Sequence, residues 1–464
     1  MSSLREKMMR LRGSAAPAAE TAVPAETSTL SGEARPTPQH SAGSEAAAEH
    51  GGEAQEERLS SAWDEMNVRI HHTSLGGFLL RETRYPLDFR HGEHRLSEIT
   101  DVLQGLAQFE LYSEAKSMGA NKVDPELFPM AVVPERMLFL DLETTGLGVG
   151  TGNVPFMVGL GFIEEDAYVV QQMLIRHPAE ERAMLRYLSE KLPAYSHLVT
   201  YNGRTFDWPV LAGRLVLNGL RDFRWEPYHV DLLHPSRSIW RNTLSSCKLS
   251  HVEEERLGIE REDDVPGSLA PAIYFQFLAD GNPDPLFGVF RHNEIDMLSL
   301  AALVIRFGHL LGGAMGGRLA YPEGPEEQLR TGLWLERMGQ TEEAAALYAK
   351  FEAGGKAEPR LMLQLAERDK KYGNWERAVL LWQQVAALMA EHAHPSWDAH
   401  IELAMYHEHS TKQPRLALQF TEAAFDLAHA RYEGLRLDAK SRAEIEAIRK
   451  RMDRLRAKLA KLSG

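Results

Sequence analysis

Apolar residues recur along this chain in two rhythms, and the rhythm changes twice. Between residues 137 and 233 short apolar runs alternate with amphipathic stretches. MLFLD (137–141), MVGLGF (157–162), VVQQMLI (169–175), HLVTY (197–201) and HVDLL (229–233) are too short for helices and read as buried strands. AEERAMLRYLSEKL (179–192) and FDWPVLAGRLVL (206–217) space their apolar residues by three and four, as helices do. Pro209 fits the second of these because it falls in the first turn. Three strands, then helix, strand, helix, strand, predict an α/β domain with a mixed sheet flanked by helices. Helices continue through Leu311, where the glycine cluster GGAMGG (312–317) reads as a hinge.

Beyond the hinge the pattern is helical and periodic. Gly339-Gln-Thr-Glu-Glu-Ala-Ala recurs 34 positions later as Gly373-Asn-Trp-Glu-Arg-Ala-Val, and Ala344 and Ala378 keep the offset. That is the tetratricopeptide period. A looser third copy surrounds Ala404 and Ala417, displaced by an insertion around EHAHP. Antiparallel helices without repeat identity remain the plainer alternative. The last helix, 438–462, lines up Ile445, Ile448, Met452, Leu455, Leu459 and Leu462 in one seam, predicted to cover the final repeat.

Upstream, residues 1–12 can form a short basic helix with Leu4, Met8 and Leu11 on one face. Residues 13–57 are rich in Ala, Glu, Ser, Pro and Gly and predict a disordered acidic tether. The stretch 77–99 mixes strand-like runs with turns. The expected division is the basic helix and tether over 1–57, an N-terminal extension packed on the α/β domain over 58–130, the α/β domain over 131–312, and the helical repeats over 313–464.

Composition narrows the picture only in places. A length of 464 residues implies more than one core. The net charge of −14 excludes a protein that coats nucleic acid through bulk positive charge. It does not exclude an enzyme whose carboxylates hold metal ions. The single cysteine, Cys247, rules out an intramolecular disulfide framework and reads as a small core residue. With no apolar stretch near the ~20 residues of a membrane span and no signal-peptide pattern, the chain is expected to be cytoplasmic, away from membranes.

The strongest chemical signal is Asp141-Leu142-Glu143-Thr144-Thr145-Gly146, where the first strand opens into a loop. Residues two apart on a strand share a face, so both carboxylates point together. Such oxygen donors suit Mg²⁺ or Mn²⁺. Two further acids stand in similar places. Asp207 follows Asn202-Gly203-Arg204-Thr205-Phe206 at a helix start, where the helix dipole alone is an equal explanation. Asp296 ends Arg291-His292-Asn293-Glu294-Ile295-Asp296 and, taken alone, reads as a solvent-facing helix residue. Three such blocks in this order on one sheet pattern make coincidence a poor account.

These residues resemble the four acids of the DEDD exonucleases, the DnaQ-like branch of the ribonuclease H-like superfamily. The stretch from about 130 to 310 is similar, more narrowly, to the bacterial YprB-type ribonuclease H-like proteins, through TYNGRTFDWPVL (200–211), LSSCKLSHVEEERLG (244–258), REDDVPGSLAPAIYFQFL (261–278) and RHNEIDMLSLAAL (291–303). The resemblance implies a ribonuclease H-like fold and 3′–5′ hydrolysis of RNA or DNA with two divalent ions, Mg²⁺ or Mn²⁺. It implies Asp141 as bridging ligand, Glu143 and Asp296 on the ion that activates water, and Asp207 on the second. Thr144, Thr145 and Asn202 are the expected substrate contacts. His292 departs from the pattern: it stands four residues before Asp296, where related enzymes carry Tyr, their His lying five before. Positions four apart share a helix face, so His292 can reach water beside Asp296 as a general base. A hydrogen bond from a helix-start histidine to backbone is the plainer alternative.

The other candidates read more plainly. Asp263 and Asp264 shape a turn or bind Arg261, or else line the substrate groove; His71, His72, His91 and His94 are too scattered for a metal site. Arg449, Lys450, Arg451, Arg454, Arg456 and Lys458 form a basic face on the last helix, most simply a solvated one, with nucleic-acid contact the alternative. A protein partner is expected on the helical repeats. The rival reading makes the nuclease fold a catalytically weak or inactive nucleic-acid-binding scaffold acting through those repeats.

Overall fold

The computed structural model describes residues 59–463 apart from 104, 108, 110–131, 147, 149, 151, 355–357, 391, 393 and 435. The helix predicted for 1–12 and the tether over 13–57 lie outside these residues. The chain enters through a short helix, α1 (Ser61–Glu65), and a hairpin of β1 (Val68–Thr73) and β2 (Gly76–Pro86). A two-stranded ribbon, β3 (Arg90–His91) with β4 (His94–Arg95), and a one-turn helix, α2 (Glu98–Asp101), complete the N-terminal segment.

The expected strands and helices follow. They are β5 (Met137–Thr144), β6 (Pro155–Glu164), β7 (Ala167–Leu174), α3 (Glu181–Lys191), β8 (His197–Thr200), α4 (Asp207–Leu217) and β9 (Tyr228–Asp231). The leucines that end HVDLL leave the strand, and Leu233 opens α5 (Leu233–Trp240). After α6 (Leu249–Val252) and α7 (Ala270–Asp280), the 26-residue α8 (Leu286–Leu311) crosses the sheet. The sheet order is β1-β2-β7-β6-β5-β8-β9, antiparallel from β1 to β5 and parallel over β5, β8 and β9. It is the mixed α/β sheet expected, enlarged by two strands. The β1–β2 hairpin extends it because β2 runs antiparallel to β7 from Leu79 opposite Leu174 to Pro86 opposite Ala167.

Strand alternation sets what each face meets. Leu138, Leu140 and Leu142 of β5 point into a core with α3, α4 and α7, including Leu185, Leu211 and Tyr274. Met137 and Phe139 point the other way, toward α8. Asp141 and Glu143 continue that second face, so the sheet's alternation carries both acids to the side where α8 lies.

Among the described residues, seven helices follow: α9 (Pro325–Arg337), α10 (Thr341–Ala353), α11 (Pro359–Tyr372), α12 (Trp375–Met389), α13 (Asp398–His409), α14 (Pro414–Tyr432) and α15 (Ala439–Ser463). The hinge expected at 312–317 takes the form of a hydrogen-bonded turn, with Gly313 and Gly316 at φ +71° and +82° where a β-carbon would strain the backbone. The core is continuous across it. Trp240, Phe307 and Trp334 pack in a row of tilted rings with centroids 5.4 and 5.5 Å apart, and Trp240 Nε1 donates to Glu327 Oε1 at 2.8 Å. On α15 the predicted seam buries Ile448, Met452 and Leu455, while Leu462 is exposed. Its basic face is largely ion-paired: Arg451 and Arg454 bind Glu408, and Arg456 binds Glu422.

Candidate active site

Four acids from three separate stretches of the sequence converge beside the carboxyl end of β5, near enough that Asp141 and Glu143 both feel the charges of Asp207 and Asp296, and Asp207 that of Asp296. Glu143, Asp207 and Asp296 are buried and Asp141 is partly so. Asp296 thus faces inward, not to solvent as its helix position alone suggests. β5 presents Asp141 and Glu143. The turn over 201–206 follows β8 without helix or strand, and Asn202 within it takes the left-handed conformation at φ +70° that its short amide tolerates.

Tyr201 opens this turn, and its hydroxyl donates to the Cys247 carbonyl at 2.7 Å. Asp231 pins it: the carboxylate oxygens accept from the backbone N–H groups of Asn202 (2.8 Å), Arg204 (3.1 Å) and Leu233 (3.1 Å). The turn thereby delivers Asp207 as the first residue of α4. The backbone N–H groups of Asp207 itself and of Leu142, between the two β5 acids, face its carboxylate and favour the charged form.

The electrostatics follow from this crowding. Burial, then the Asp296 and Asp207 charges, hold the Asp141 carboxyl well above the usual carboxylate range. Burial, then Asp141, Asp296 and Asp207, do the same to Glu143. Asp207 is pushed up to about 7, chiefly by burial; the two backbone N–H donors oppose the shift, and Asp231 and Asp296 add to it. Like charges brought together out of water are costly unless something positive stands among them. An all-oxygen donor set of this kind fits Mg²⁺ or Mn²⁺.

α8 supplies the opposite wall. His292, Asn293 and Asp296 are three and four residues apart and share a face. Asn293 Nδ2 donates to Asp141 Oδ2 at 2.9 Å, and Gln172 Nε2 donates to Asn293 Oδ1 at 3.0 Å. Arg81 of β2 donates to Gln172 Oε1 at 2.7 Å and pairs with Glu294 Oε2 at 2.8 Å. Gly159 lies opposite Asp141 in the sheet, and a β-carbon there would come within 2.2 Å of Asn293 Oδ1. The glycine makes the room in which the amide orients the acid.

His292 Nδ1 lies 2.9 Å from both oxygens of Asp264, and Nε2 lies 3.6 Å from Asp296 Oδ2. Arg261 Nη1 is also 3.0 Å from Nδ1. Two carboxylate oxygens outweigh that one cation, which Asp264 itself engages, so in the neutral imidazole the proton belongs on Nδ1 and Nε2 is left as the acceptor. Arg261 ties the group together, bonding Glu253 at 2.6 and 2.7 Å, Asp264 at 3.2 Å, and Asp296. Asp264 therefore does bind Arg261, and Asp263 sits in the turn at φ +53°. The hydroxyls of Thr144 and Thr145 are engaged within their own loop: Thr144 donates to Gly146 O at 2.7 Å, and Thr145 accepts from the Val154 N–H at 3.0 Å. Asn202 is exposed at the turn.

A second cluster was not legible in the sequence. His94, read as one of several scattered histidines, meets Glu98 and His309 in a buried group whose ligand atoms all lie within 4.8 Å of one another. His309 Nε2 is 2.7 Å and His94 Nδ1 3.5 Å from Glu98 Oε2, with Arg318 at 3.6 Å. The trio could hold a metal ion, and without one it fastens α2 to the end of α8. Cys247 is only partly buried, and burial raises its thiol against the opposing charges of Arg237, Arg241 and Arg330, so it is not activated as a nucleophile.

Residues 138–307, which span the four acids and most of α8, match the RNase H superfamily. The domain therefore belongs to the ribonuclease H class of nuclease folds. The chain is also 35% identical over 346 residues to the uncharacterized protein YprB of Bacillus subtilis (strain 168), covering 74% of this chain and 79% of that protein. It belongs to the YprB family. Among the described residues, no helix is long and apolar enough to cross a membrane.

Asn293 and Gln172 were missed as parts of the site, and Arg261 and Asp264, read as a turn pair or as lining the groove, were not connected to His292 and Asp296. The one available signal was Gly159 in the middle of the buried run MVGLGF, since glycine inside a strand marks a close approach by something else.

Proposed function

We propose that this protein is a metal-dependent 3′–5′ exonuclease of the DEDD type, acting in the cytoplasm on single-stranded RNA or DNA. The observation that carries the reading is the convergence of Asp141, Glu143, Asp207 and Asp296, with the first three carboxyls held above their usual range by burial and mutual repulsion. These four residues would hold two divalent ions, Mg²⁺ or Mn²⁺, which when bound neutralise the phosphate and assist attack by water. Asn293 orients Asp141. Asp264 sets the His292 tautomer so that Nε2 accepts the proton of the attacking water. The bond from phosphorus to the 3′-oxygen breaks, the 3′-oxygen leaves with a proton, and a nucleoside 5′-monophosphate departs. Thr144, Thr145 and Asn202 border the terminal nucleotide.

The helices over 313–464 act in this reading as tetratricopeptide-like repeats. The 34-residue offset supports it, because Gly339 and Gly373 share a positive φ of 87° and 80° at equivalent turns, and Glu326 reaches Arg360 one period on. One observation favours the scaffold reading instead: the Arg261 guanidinium already pairs with Asp296. Incubating the full chain with labelled single-stranded RNA and DNA, with Mn²⁺ or with chelator, separates the two. Mn²⁺-dependent release of mononucleotides supports the exonuclease, and no release under either condition supports the scaffold.

A further inference from the structure

The −14 chain gathers unpaired cations in one cleft of about 910 Å³ between the nuclease fold and the first repeat helices. Seven Arg and Lys side chains line it against three acids. Two of those acids are already engaged: Asp231 by the three backbone N–H groups of the turn, and Glu336 by Arg368 at 2.7 Å. Among the described residues, no carboxylate lies within ion-pair distance of Arg237, Arg241, Arg337 or Lys371, and all four are exposed. Arg330, between them, is held below its usual range by burial, with Glu326 opposing and the Arg241 and Arg337 charges adding. Like charges left uncompensated at this density indicate an anionic ligand.

The cleft also has an aromatic surface. Tyr372 is 60% exposed on its wall, with the Arg368 guanidinium 4.9 Å from the ring centroid. Cations that follow a backbone, interleaved with an exposed ring on which a base can stack, are how proteins hold single strands without reading sequence. The cleft also adjoins the acid site. Arg204, three residues before Asp207, lines it, and Asp231 both lines it and contributes to the Asp207 shift.

We propose that this cleft binds the single-stranded portion of the nucleic acid behind the terminal nucleotide, holding phosphates on Arg237, Arg241, Arg337 and Lys371 and a base on Tyr372. The proposal rests on the nuclease reading for the direction of the strand, and binding without cleavage tests it separately. α5 comes from the nuclease fold and α9 and α11 from the helical region, so the helical region contributes to the substrate site.

The test is fluorescence anisotropy with the full chain in chelator, using labelled oligo(A) RNA, oligo(dT) DNA and a duplex. Wild type should bind both single strands more tightly than the duplex. The triple variant Arg237→Ala/Arg241→Ala/Arg337→Ala should weaken binding and reduce the slope of log K against log salt by about 2, at ~0.7 per phosphate contact on a single strand. Tyr372→Ala should weaken it about tenfold with the salt slope unchanged, and Lys450→Ala on α15 should change nothing. Circular dichroism of each variant checks the fold, and the exposed Tyr372 change serves if the triple variant misfolds. Equal binding of wild type and both cleft variants overturns the proposal, as does tighter binding of the duplex. Binding of polyglutamate but of neither single strand also overturns it and makes the cleft a protein-docking site. A preference between RNA and DNA supports it and identifies the sugar. Strand binding that depends on the cleft, with no cleavage in Mn²⁺, leaves the proposal standing and defeats the nuclease reading.

Discussion

Two charged regions lie on either side of the 201–206 turn and treat charge in opposite ways. At the end of β5, carboxylates are gathered out of water with Arg261 and His292 to offset them, and their acidities fall accordingly. In the cleft between α5, α9 and α11, arginines stand exposed with few acids among them. Each arrangement is unfavourable by itself. One is relieved by cations that bind and the other by anions, and a metal-bound nucleic acid is a ligand that supplies both. An overall charge of −14 hides this, because net charge averages over regions that do different work.

The largest break of the comparison is Asp141→Ala. Turnover should fall by ~10³-fold or more, since a ligand that stabilises several kcal/mol of charge is lost. Calorimetry should show weakened Mn²⁺ binding, while strand binding in chelator is retained. The metal-free variant should melt higher than wild type, because a repelled carboxylate is gone. Equal Mn²⁺ affinity in the two proteins would remove Asp141 from the metal site.

His292→Ala should lower turnover by ~10²–10⁴-fold with little change in KM, as for loss of a general base. His292→Tyr should recover part of it. An alanine variant with full turnover and an unchanged pH profile would make His292 structural. Gly159→Ala is milder: forcing a β-carbon against buried Asn293 should cost ~1–3 kcal/mol of stability and weaken Mn²⁺ binding by disturbing Asp141. Thermal melts with and without Mn²⁺ check it, and unchanged melts would mean that Asn293 moves aside freely.

The smallest effect compares the two regions through acid. His91 is pushed down to about 4 by burial and then by the Arg261 charge. His229, on the cleft wall, is pushed down to about 4 by burial and then by Arg204, with Asp231 opposing. Both are neutral in the folded chain, whereas an unfolded histidine titrates near ~6.5. Below that pH the unfolded chain takes up protons that the folded one refuses, so stability is full above about 6.5 and is lost as pH falls toward 4. His91→Asn and His229→Asn should each flatten the decline in Tm between pH 7 and pH 5. Profiles parallel to wild type in both variants would show that neither histidine contributes.

The fold was largely legible because β5 to β9 are short apolar runs separated by amphipathic helices, and burial on both faces writes itself into sequence as hydrophobicity. The β1–β2 hairpin was harder to read. Its partner β7 lies far along the chain, with Leu79 opposite Leu174, and the second half of β2 is mostly polar. The same contrast holds at the site. Asp141 and Glu143 announce themselves by sitting two apart at a strand end. Asn293 and Gln172, and Arg261 in its bond to Asp296, act through pairings that no local pattern encodes, and His94, Glu98 and His309 come together only when α8 closes over the N-terminal segment.

The Arg81–Glu294 bridge has a consequence for how the chain is made. Its partners are separated by 213 residues, and through Gln172 and Asn293 it steadies Asp141. A ribosome releases β2 long before α8 exists, so the hairpin must wait for its partner while most of the nuclease domain is still being synthesised. The carboxylate site is therefore among the last features of that domain a nascent chain can complete. A truncated or stalled product that stops before α8 would carry two of its four acids on β5 and one on α4, with no fourth acid and no Asn293 to align the first.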